Sequence, residues 1–387
     1  MSHLTGAAGP PPLFAFDRLR RYPDVEADNL FAVDASDRLI LDEAAEALAL
    51  AAPGEVVVIE DRYGALTLGA AHGGARGVRV HQDVLSGELA LAHNATDAGL
   101  SAAFRSLGLT EELVAGARVV LLQLPRSLSA LDEIAAVIAR HAAPDVTVFA
   151  GGRIKHMAPA MNGVLARHFA RVDVSPARQK SRVLIASGPI RPTEPGSDPD
   201  WPRSQRHDDL DITVCAHGAA FAGTTVDIGT RYLLEFLDRM QPGARTAIDL
   251  GCGTGVLAAG LALHRTDLTV IASDQSAAAV ASARATMIAN GVFDRVSVIR
   301  DDVLASQPDA SAELIVLNPP FHVGASVHAG IALKLFDDAA RVLAPGGELW
   351  TVWNTHLGYR SALTRIVGPT HQVGRNTKFT VTVSTRV

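Results

Sequence analysis

Between residues 246 and 264 a short apolar run passes into a helical pattern through a turn crowded with glycine, Asp249-Leu250-Gly251-Cys252-Gly253-Thr254-Gly255. A strand that turns at once into a helix needs a sheet on which that helix can lie. Glycines in the turn permit positive φ and let a ligand approach the backbone closely. The helix N-terminus behind them offers free N–H groups. The pattern then alternates. Residues 269–273, 296–299, 314–317 and 348–353 read as strands, and 255–264, 276–290 and 329–343 as helices, with Gly291 a C-cap and Pro345-Gly346-Gly347 a stop. This predicts an α/β fold with an open, mainly parallel sheet covered on both faces. Phe379, Val381 and Val383 alternate with polar residues, which suits a late antiparallel strand.

The first half repeats the rhythm more faintly. Strands are expected at 55–60, 77–81, 117–124 and 146–150, and helices at 44–51 and 128–141. Asp61 to Pro125 spans 64 positions and Asp249 to Pro319 spans 70, so the halves read as a duplication. A chain of 387 residues suits two domains. The seam is 187–211, where Pro189, Pro192, Pro195, Pro199 and Pro202 disfavour regular structure. The expected division is a domain at 1–186, a linker at 187–211 and a domain at 212–387.

Composition bounds the function. Hydrophobic residues make up 48% and charged residues 20%, enough apolar material for two ordinary cores. Cys215 and Cys252 form no CxxC pair, which argues against a disulfide framework or a metal-thiolate site and for the cytoplasm. Pro10-Pro11-Pro12 replaces the apolar core of a signal peptide. No apolar run of about 18 residues survives unbroken, so no membrane span is expected. A net charge of -6 leaves nucleic-acid contact to local basic clusters.

A dinucleotide fingerprint is G-x-G-x-x-G. Here Val256 occupies the third glycine's place and the glycine comes one step early, at Gly255. Asp249 is ill placed beside a pyrophosphate and well placed beside a cationic amino group. Asp274, with Gln275 next to it, ends the second strand, where a carboxylate can hold ribose hydroxyls. Asp301 or Asp302 follows the third strand; Asp302 is the favoured acceptor for an adenine amino group, with Val303 over the ring. The ordered set predicts a nucleoside-bearing cofactor on Gly251, Cys252, Gly253 and Gly255.

After the fourth strand comes Asn318-Pro319-Pro320-Phe321-His322. The tetrapeptide resembles the N-P-P-[FY] motif of class I S-adenosylmethionine-dependent methyltransferases that act on planar nitrogens. The chemistry suits those residues. An exocyclic nitrogen is a poor nucleophile because its lone pair is delocalised. The Asn318 oxygen and Pro319 carbonyl can accept its two N–H groups, Pro320 stiffens the turn, and Phe321 can stack on the base. His322 is expected to orient substrate.

The segment from Phe221 to Arg231, including Asp227 and Gly229, is similar to one in two-domain ribosomal RNA guanine-N2 methyltransferases, the RsmC/RlmG family. Trp353-Asn354-Thr355-His356-Leu357-Gly358-Tyr359 and Asn376-Thr377-Lys378-Phe379 resemble its large-subunit branch. The resemblance implies two tandem Rossmann-like class I methyltransferase domains, the N-terminal one degenerate, with Leu122-Gln123-Leu124-Pro125 where the catalytic tetrapeptide would stand. It implies that Asp227, Gly229 and Asn318 serve the cofactor, and a monomer acting on ribosomal RNA or a ribosomal subunit. Phe221 would shape the substrate pocket or be an ordinary core aromatic. Arg178 and Lys180 head the basic groups expected to grip phosphates, with Arg182, Arg153, Lys155, Arg203 and Arg206. The tetrapeptide alone leaves DNA adenine or a protein glutamine amide open as acceptor. A cofactor-binding scaffold without turnover is the reading from another class.

Overall fold

The structure is a computed structural model and describes residues 14–191, 201–320 and 325–387. The first domain contains β1 (Val56–Ile59), β2 (Val78–His81), β3 (Phe104–Ser106), β4 (Val119–Gln123), β5 (Thr147–Arg153), β6 (Phe169–Val174) and β7 (Ser181–Pro189). Its helices are α1 (Ala35–Glu43), α2 (Ala45–Leu50), α3 (Ala65–His72), α4 (Leu85–Asp97), α5 (Glu111–Val114), α6 (Leu128–His141) and α7 (Ala160–His168). A hairpin of β8 (Arg203–His207) and β9 (Ile212–Ala216) follows. The second domain adds β10 (Thr246–Leu250), β11 (Thr269–Asp274), β12 (Val296–Arg300), β13 (Ala312–Leu317), β14 (Leu343–Asn354), β15 (Thr370–Arg375) and β16 (Phe379–Thr385). Its helices are α8 (Ile228–Leu234), α9 (Val256–His264), α10 (Ala277–Ala289), α11 (Ala325–Val342) and α12 (Arg360–Ile366).

The two seven-stranded sheets have one topology. The orders are β3-β2-β1-β4-β5-β7-β6 and β12-β11-β10-β13-β14-β16-β15. In each, five strands run parallel and a final pair closes antiparallel. Both faces of each sheet are buried: Val57 and Ile59 enter one core while Val56 and Val58 enter the other. That explains the continuous apolar strands. A large apolar side chain buried as fully as Phe336 stabilises the fold by roughly 1.5–3 kcal/mol.

Two expectations change. The proline-rich stretch is not a plain connector, because β7 reaches Pro189 and β8 lies within 187–211; residues 192–200 lie outside the described part. A two-stranded hairpin tolerates what a central strand does not. Strand β14 begins at Leu343, earlier than the expected 348, and absorbs Pro345-Gly346-Gly347 in an irregularity of its pairing with β13.

Strand register aligns the halves residue by residue. Ile59 pairs with His81 and Leu122, as Leu250 pairs with Ser273 and Leu317. Glu60 therefore stands where the second domain has Gly251, and Asp61 stands opposite Cys252 rather than Asp249. The domains dock through matching loops. The Leu85 amide donates to the Gln275 carbonyl at 3.0 Å, and the Ala277 amide donates to the Asp83 carbonyl at 2.8 Å. These are reciprocal bonds between equivalent positions, the mark of a local two-fold axis. Among the described residues no helix is long and apolar enough to cross a membrane.

Candidate functional site

At the carboxyl ends of β10, β11 and β13 lies a cavity of about 510 Å³. Small-molecule sites commonly enclose roughly 300–1,000 Å³. The glycine turn forms its floor. Gly251, Gly253 and Gly255 have φ of 71°, 54° and 79°, a region that side chains disfavour. A Cβ on Gly251 or Gly253 would meet nothing within 4 Å, whereas one on Gly255 would sit 2.8 Å from Met287 Cε and 3.0 Å from Ala283 Cβ. Two of these glycines keep the floor open, and the third lets α9 pack on α10.

Among the described residues, seven aspartates and one lysine line the cavity: Asp24, Asp83, Asp227, Asp249, Asp274, Asp301, Asp302 and Lys334. So acidic a lining suits a cation and opposes a pyrophosphate. Asp249 Oδ2 accepts the Ala258 amide at 2.9 Å, while Oδ1 is buried without a partner. Burial lifts this carboxyl to about 7, and Asp274 adds a smaller push. Asp274 accepts the Gly253 amide on one oxygen and the Ser276 amide on the other, both at 2.9 Å. Burial raises its pKa too. Cys252 is buried beside these two acids and held well above the ordinary thiol range.

The two acids after β12 divide. Asp301 turns inward and accepts from the Ser306 amide and hydroxyl at 2.9 and 2.7 Å. Asp302 takes Lys334 Nζ on both oxygens at 2.7 Å. Val303 sits at φ 63°, a strained conformation for a β-branched residue. The Ser273 hydroxyl holds its carbonyl at 2.9 Å.

Asn318 ends β13. Its Nδ2 donates to Asp227 Oδ2 and to Thr230 Oγ1, each at 2.9 Å. A carboxylate only accepts, so the side-chain nitrogen must face Asp227. The oxygen then points away and is buried without a partner. Asp227 also caps α8, accepting the Gly229 and Thr230 amides at 2.8 and 3.2 Å. A Cβ on Gly229 would lie 3.0 Å from Asp227 Oδ2, 3.2 Å from Phe379 Cε1 and 3.4 Å from Asn318 Nδ2. The close packing of α8 on Asn318 therefore requires glycine there. Among the described cavity-lining residues, only Asp249 and Asn318 carry orphan buried acceptors.

The cavity gathers Phe221, Asp227, Asp249, Gly251, Cys252, Gly253, Asp274, Gln275, Asp301, Asp302, Val303, Asn318, Pro319 and Pro320. Phe221 is 59% exposed there, not a core aromatic. Gly229 and Gly255 stand behind the wall as packing residues. Phe321 and His322 lie outside the described residues. Arg178 and Lys180 are not at this cavity but on the β6–β7 turn of the first domain, where Arg178 pairs with Asp42. Thr230, Lys334 and the first-domain residues Pro23, Asp24, Val25, Asp83, Val84 and Ser86 were not singled out in the sequence. Only Thr230 had a local signal, a hydroxyl three positions after the capping Asp227.

The first domain keeps the shape of this site without its chemistry. Glu60, Arg62 and Gly64 have φ of 62°, 60° and 100°, left-handed at the same three positions as the second domain's glycines. Gln82 replaces Asp274, and Gln123, one position later than the expected Leu122, replaces Asn318. The Gln123 amide is bonded to Ser36 and Asp37 in the first turn of α1, as Asn318 is bonded to α8.

Residues 13–190 match the RLMG N-terminal domain family, and residues 211–383 match the Methyltransferase small domain family. The ribosomal RNA large subunit methyltransferase G of Pseudomonas aeruginosa (strain UCBPP-PA14) is 35% identical over 382 residues, covering 96% of this chain and 98% of the relative. The chain belongs to the ribosomal RNA large subunit methyltransferase G family. The family member of Streptomyces coelicolor (strain ATCC BAA-471 / A3(2) / M145) is 34% identical over 379 residues, covering 94% and 96% of the two chains. A solved structure, the T. thermophilus 16S rRNA N2 G1207 methyltransferase (RsmC) in complex with AdoMet and guanosine, shares the fold. It superposes with a TM-score of 0.71 at 23% identity over 92% of each chain.

Proposed function

We propose that this methyltransferase transfers a methyl group from S-adenosylmethionine to the exocyclic N2 amino group of a guanine in ribosomal RNA, working as a cytoplasmic monomer. The observation that carries the reading is the Asn318 oxygen, aimed by Asp227 and Thr230 and left as an unpaired buried acceptor. The cofactor supplies an electrophilic methyl on a sulfonium. Its positive sulfur and ammonium suit the seven lining aspartates, and the unpaired Asp249 Oδ1 suits the ammonium. Asp274 would hold ribose hydroxyls. Asp302 and Val303 would border the adenine.

The chain's own part is alignment. Asn318 Oδ1 accepts one N–H of the guanine amino group, and the Pro319 carbonyl accepts the other. Those bonds turn the nitrogen lone pair toward the methyl, and alignment of this kind supplies several kcal/mol of rate. Phe221 gives the base an apolar face. The proton released after transfer passes to water. A guanine within a helix must first be flipped out.

The phosphates would be held by the first domain. Arg62 follows β1, Arg126 follows β4, and Arg153 and Lys155 stand at the end of β5, three neighbouring strands of one sheet, so these cations gather at its carboxyl ends. The Ile154 amide donates to the Lys180 carbonyl at 2.9 Å, which sets the Arg178–Lys180 turn against the same cluster. The test is methyl transfer from labelled cofactor to ribosomal RNA lacking the modification, followed by nucleoside mass analysis. Naked RNA, ribosomal subunits, DNA and protein extract are offered in parallel. N2-methylguanosine is the expected product. Label confined to DNA or protein would overturn the acceptor.

A further inference from the structure

The turn from β2 into α4 in the first domain, residues 83–86, reaches the second domain's cavity. Asp83, Val84 and Ser86 line it, and so do Pro23, Asp24 and Val25 from the chain before α1. None of these belongs to the methyltransferase domain that carries the glycine turn.

Asp83 does more than touch. Its Oδ1 accepts the Ser276 hydroxyl at 2.9 Å and the Ala278 amide at 2.8 Å. Its carbonyl accepts the Ala277 amide at 2.8 Å. The Ala279 amide goes to Ser276 Oγ at 3.0 Å. The first two N–H groups of α10 are thus satisfied from the other domain, and the third by a serine that Asp83 holds. The opening amides of a helix have no partner inside it. The same Ser276 donates its backbone N–H to Asp274. Arg300 secures the arrangement, bonding Glu88 at 2.8 Å and the Gln82 and Asp83 carbonyls at 3.0 and 3.2 Å. The chain before α1 is tied down by the relic turn. Tyr63, at the position of Thr254, donates its hydroxyl to Asp24 Oδ2 at 2.6 Å, and Arg21 donates to the same oxygen at 2.8 Å.

We propose that the first domain is a working half of the cofactor site: Asp83 is a positioning residue that fixes Asp274 through Ser276, while Val84, Ser86 and the segment Pro23-Asp24-Val25 wall the cavity. This rests on the reading of Asp274 as the ribose acceptor. A carboxylate that must meet two hydroxyls at once needs one orientation, and its donors Gly253 and Ser276 are each set by a turn. The Gly253 turn belongs to the second domain alone. The Ser276 turn is held from across the domain boundary.

The test uses the full chain and calorimetric titration with S-adenosylhomocysteine and with its 2′-deoxy analogue. Asp274→Ala serves as the reference for the ribose reading. Asp83→Ala should bind S-adenosylhomocysteine roughly tenfold more weakly, a change near 1.4 kcal/mol. Its preference for the ribose over the deoxyribose form should shrink, which a general loosening of the fold would not cause. Asp83→Asn, whose side-chain oxygen still accepts both bonds, should recover most of both quantities. Should Asp83→Ala fail to fold, Ser276→Ala cuts the link within the second domain and should also lose part of the ribose preference. Wild-type affinity and preference in the Asp83 and Ser276 variants, beside a weakened Asp274→Ala, would overturn the proposal. Normal binding by Asp274→Ala would instead remove the ribose reading beneath it.

Discussion

Asn318 commits both side-chain hydrogens to the helix beneath it, and what it keeps for a ligand is an acceptor. That division makes its role separable from cofactor binding. Asn318→Ala should keep S-adenosylhomocysteine affinity while turnover falls roughly a hundredfold, the scale seen when one preorganised polar group is removed from a reacting centre. Single-turnover kinetics beside calorimetry checks it; intact turnover would remove Asn318 from the mechanism. Asp249 gives a second handle. Its carboxyl moves from 3.8 to about 7 on folding, chiefly through burial. The native state holds that proton at pH values where the unfolded chain has released it. Asp249 therefore stabilises the protein fully below 3.8, and that contribution is lost as pH rises toward about 7. Cofactor binding should run the other way, because an ammonium favours the ionised form. Affinity for S-adenosylhomocysteine should tighten between pH 6 and 8, and Asp249→Asn should flatten that rise. A profile that survives the substitution would place the ammonium elsewhere.

At the scale of elements, the turn between β1 and α3 carries a left-handed backbone on Glu60 and Arg62. An L-residue in that region costs roughly 1–2 kcal/mol, and glycine returns part of that as unfolded-state entropy, about 0.5–1 kcal/mol. Arg62 is exposed, so Arg62→Gly should raise denaturant stability by up to about 1 kcal/mol. The same change should weaken RNA binding and lower its salt slope by about one unit. Loss of stability, or an unchanged slope, would show that Arg62 is not a strained phosphate contact. These elements also show what sequence can disclose. Strands β10, β11 and β13 were legible because both faces are buried and the turns after them carry glycine, aspartate or proline. The turn after β1 was not, because Glu60 and Arg62 hold a glycine-like backbone without being glycine. Helix α3, Ala-Leu-Thr-Leu-Gly-Ala-Ala-His, is apolar almost all round, so it shows no stripe for periodicity to find.

For the whole molecule, the alternation of strands and helices was enough to suggest a repeated fold, and the duplicated strand order bears that out. The contribution of the first domain to the cavity was beyond reach. Asp83 and Ser276 lie 193 positions apart, and no local pattern links a loop in one domain to a helix start in another. Side chains within one turn, such as Asp227 and Thr230, are tied by helix geometry and can be guessed. Side chains joined only by docking cannot.

The reciprocal bonds between residues 83–85 and 275–277 make the docking surface that of a two-fold dimer written into one chain. In a true homodimer every substitution is expressed twice, so a change that suits one site is imposed on the other. Tethered copies escape that rule. One turn can keep Gly251 and Gly253 while its twin holds Glu60 and Arg62, and the pair cannot fall apart on dilution. The asymmetry on which this enzyme would depend, one copy for chemistry and one for grip, is open only to partners that share a backbone.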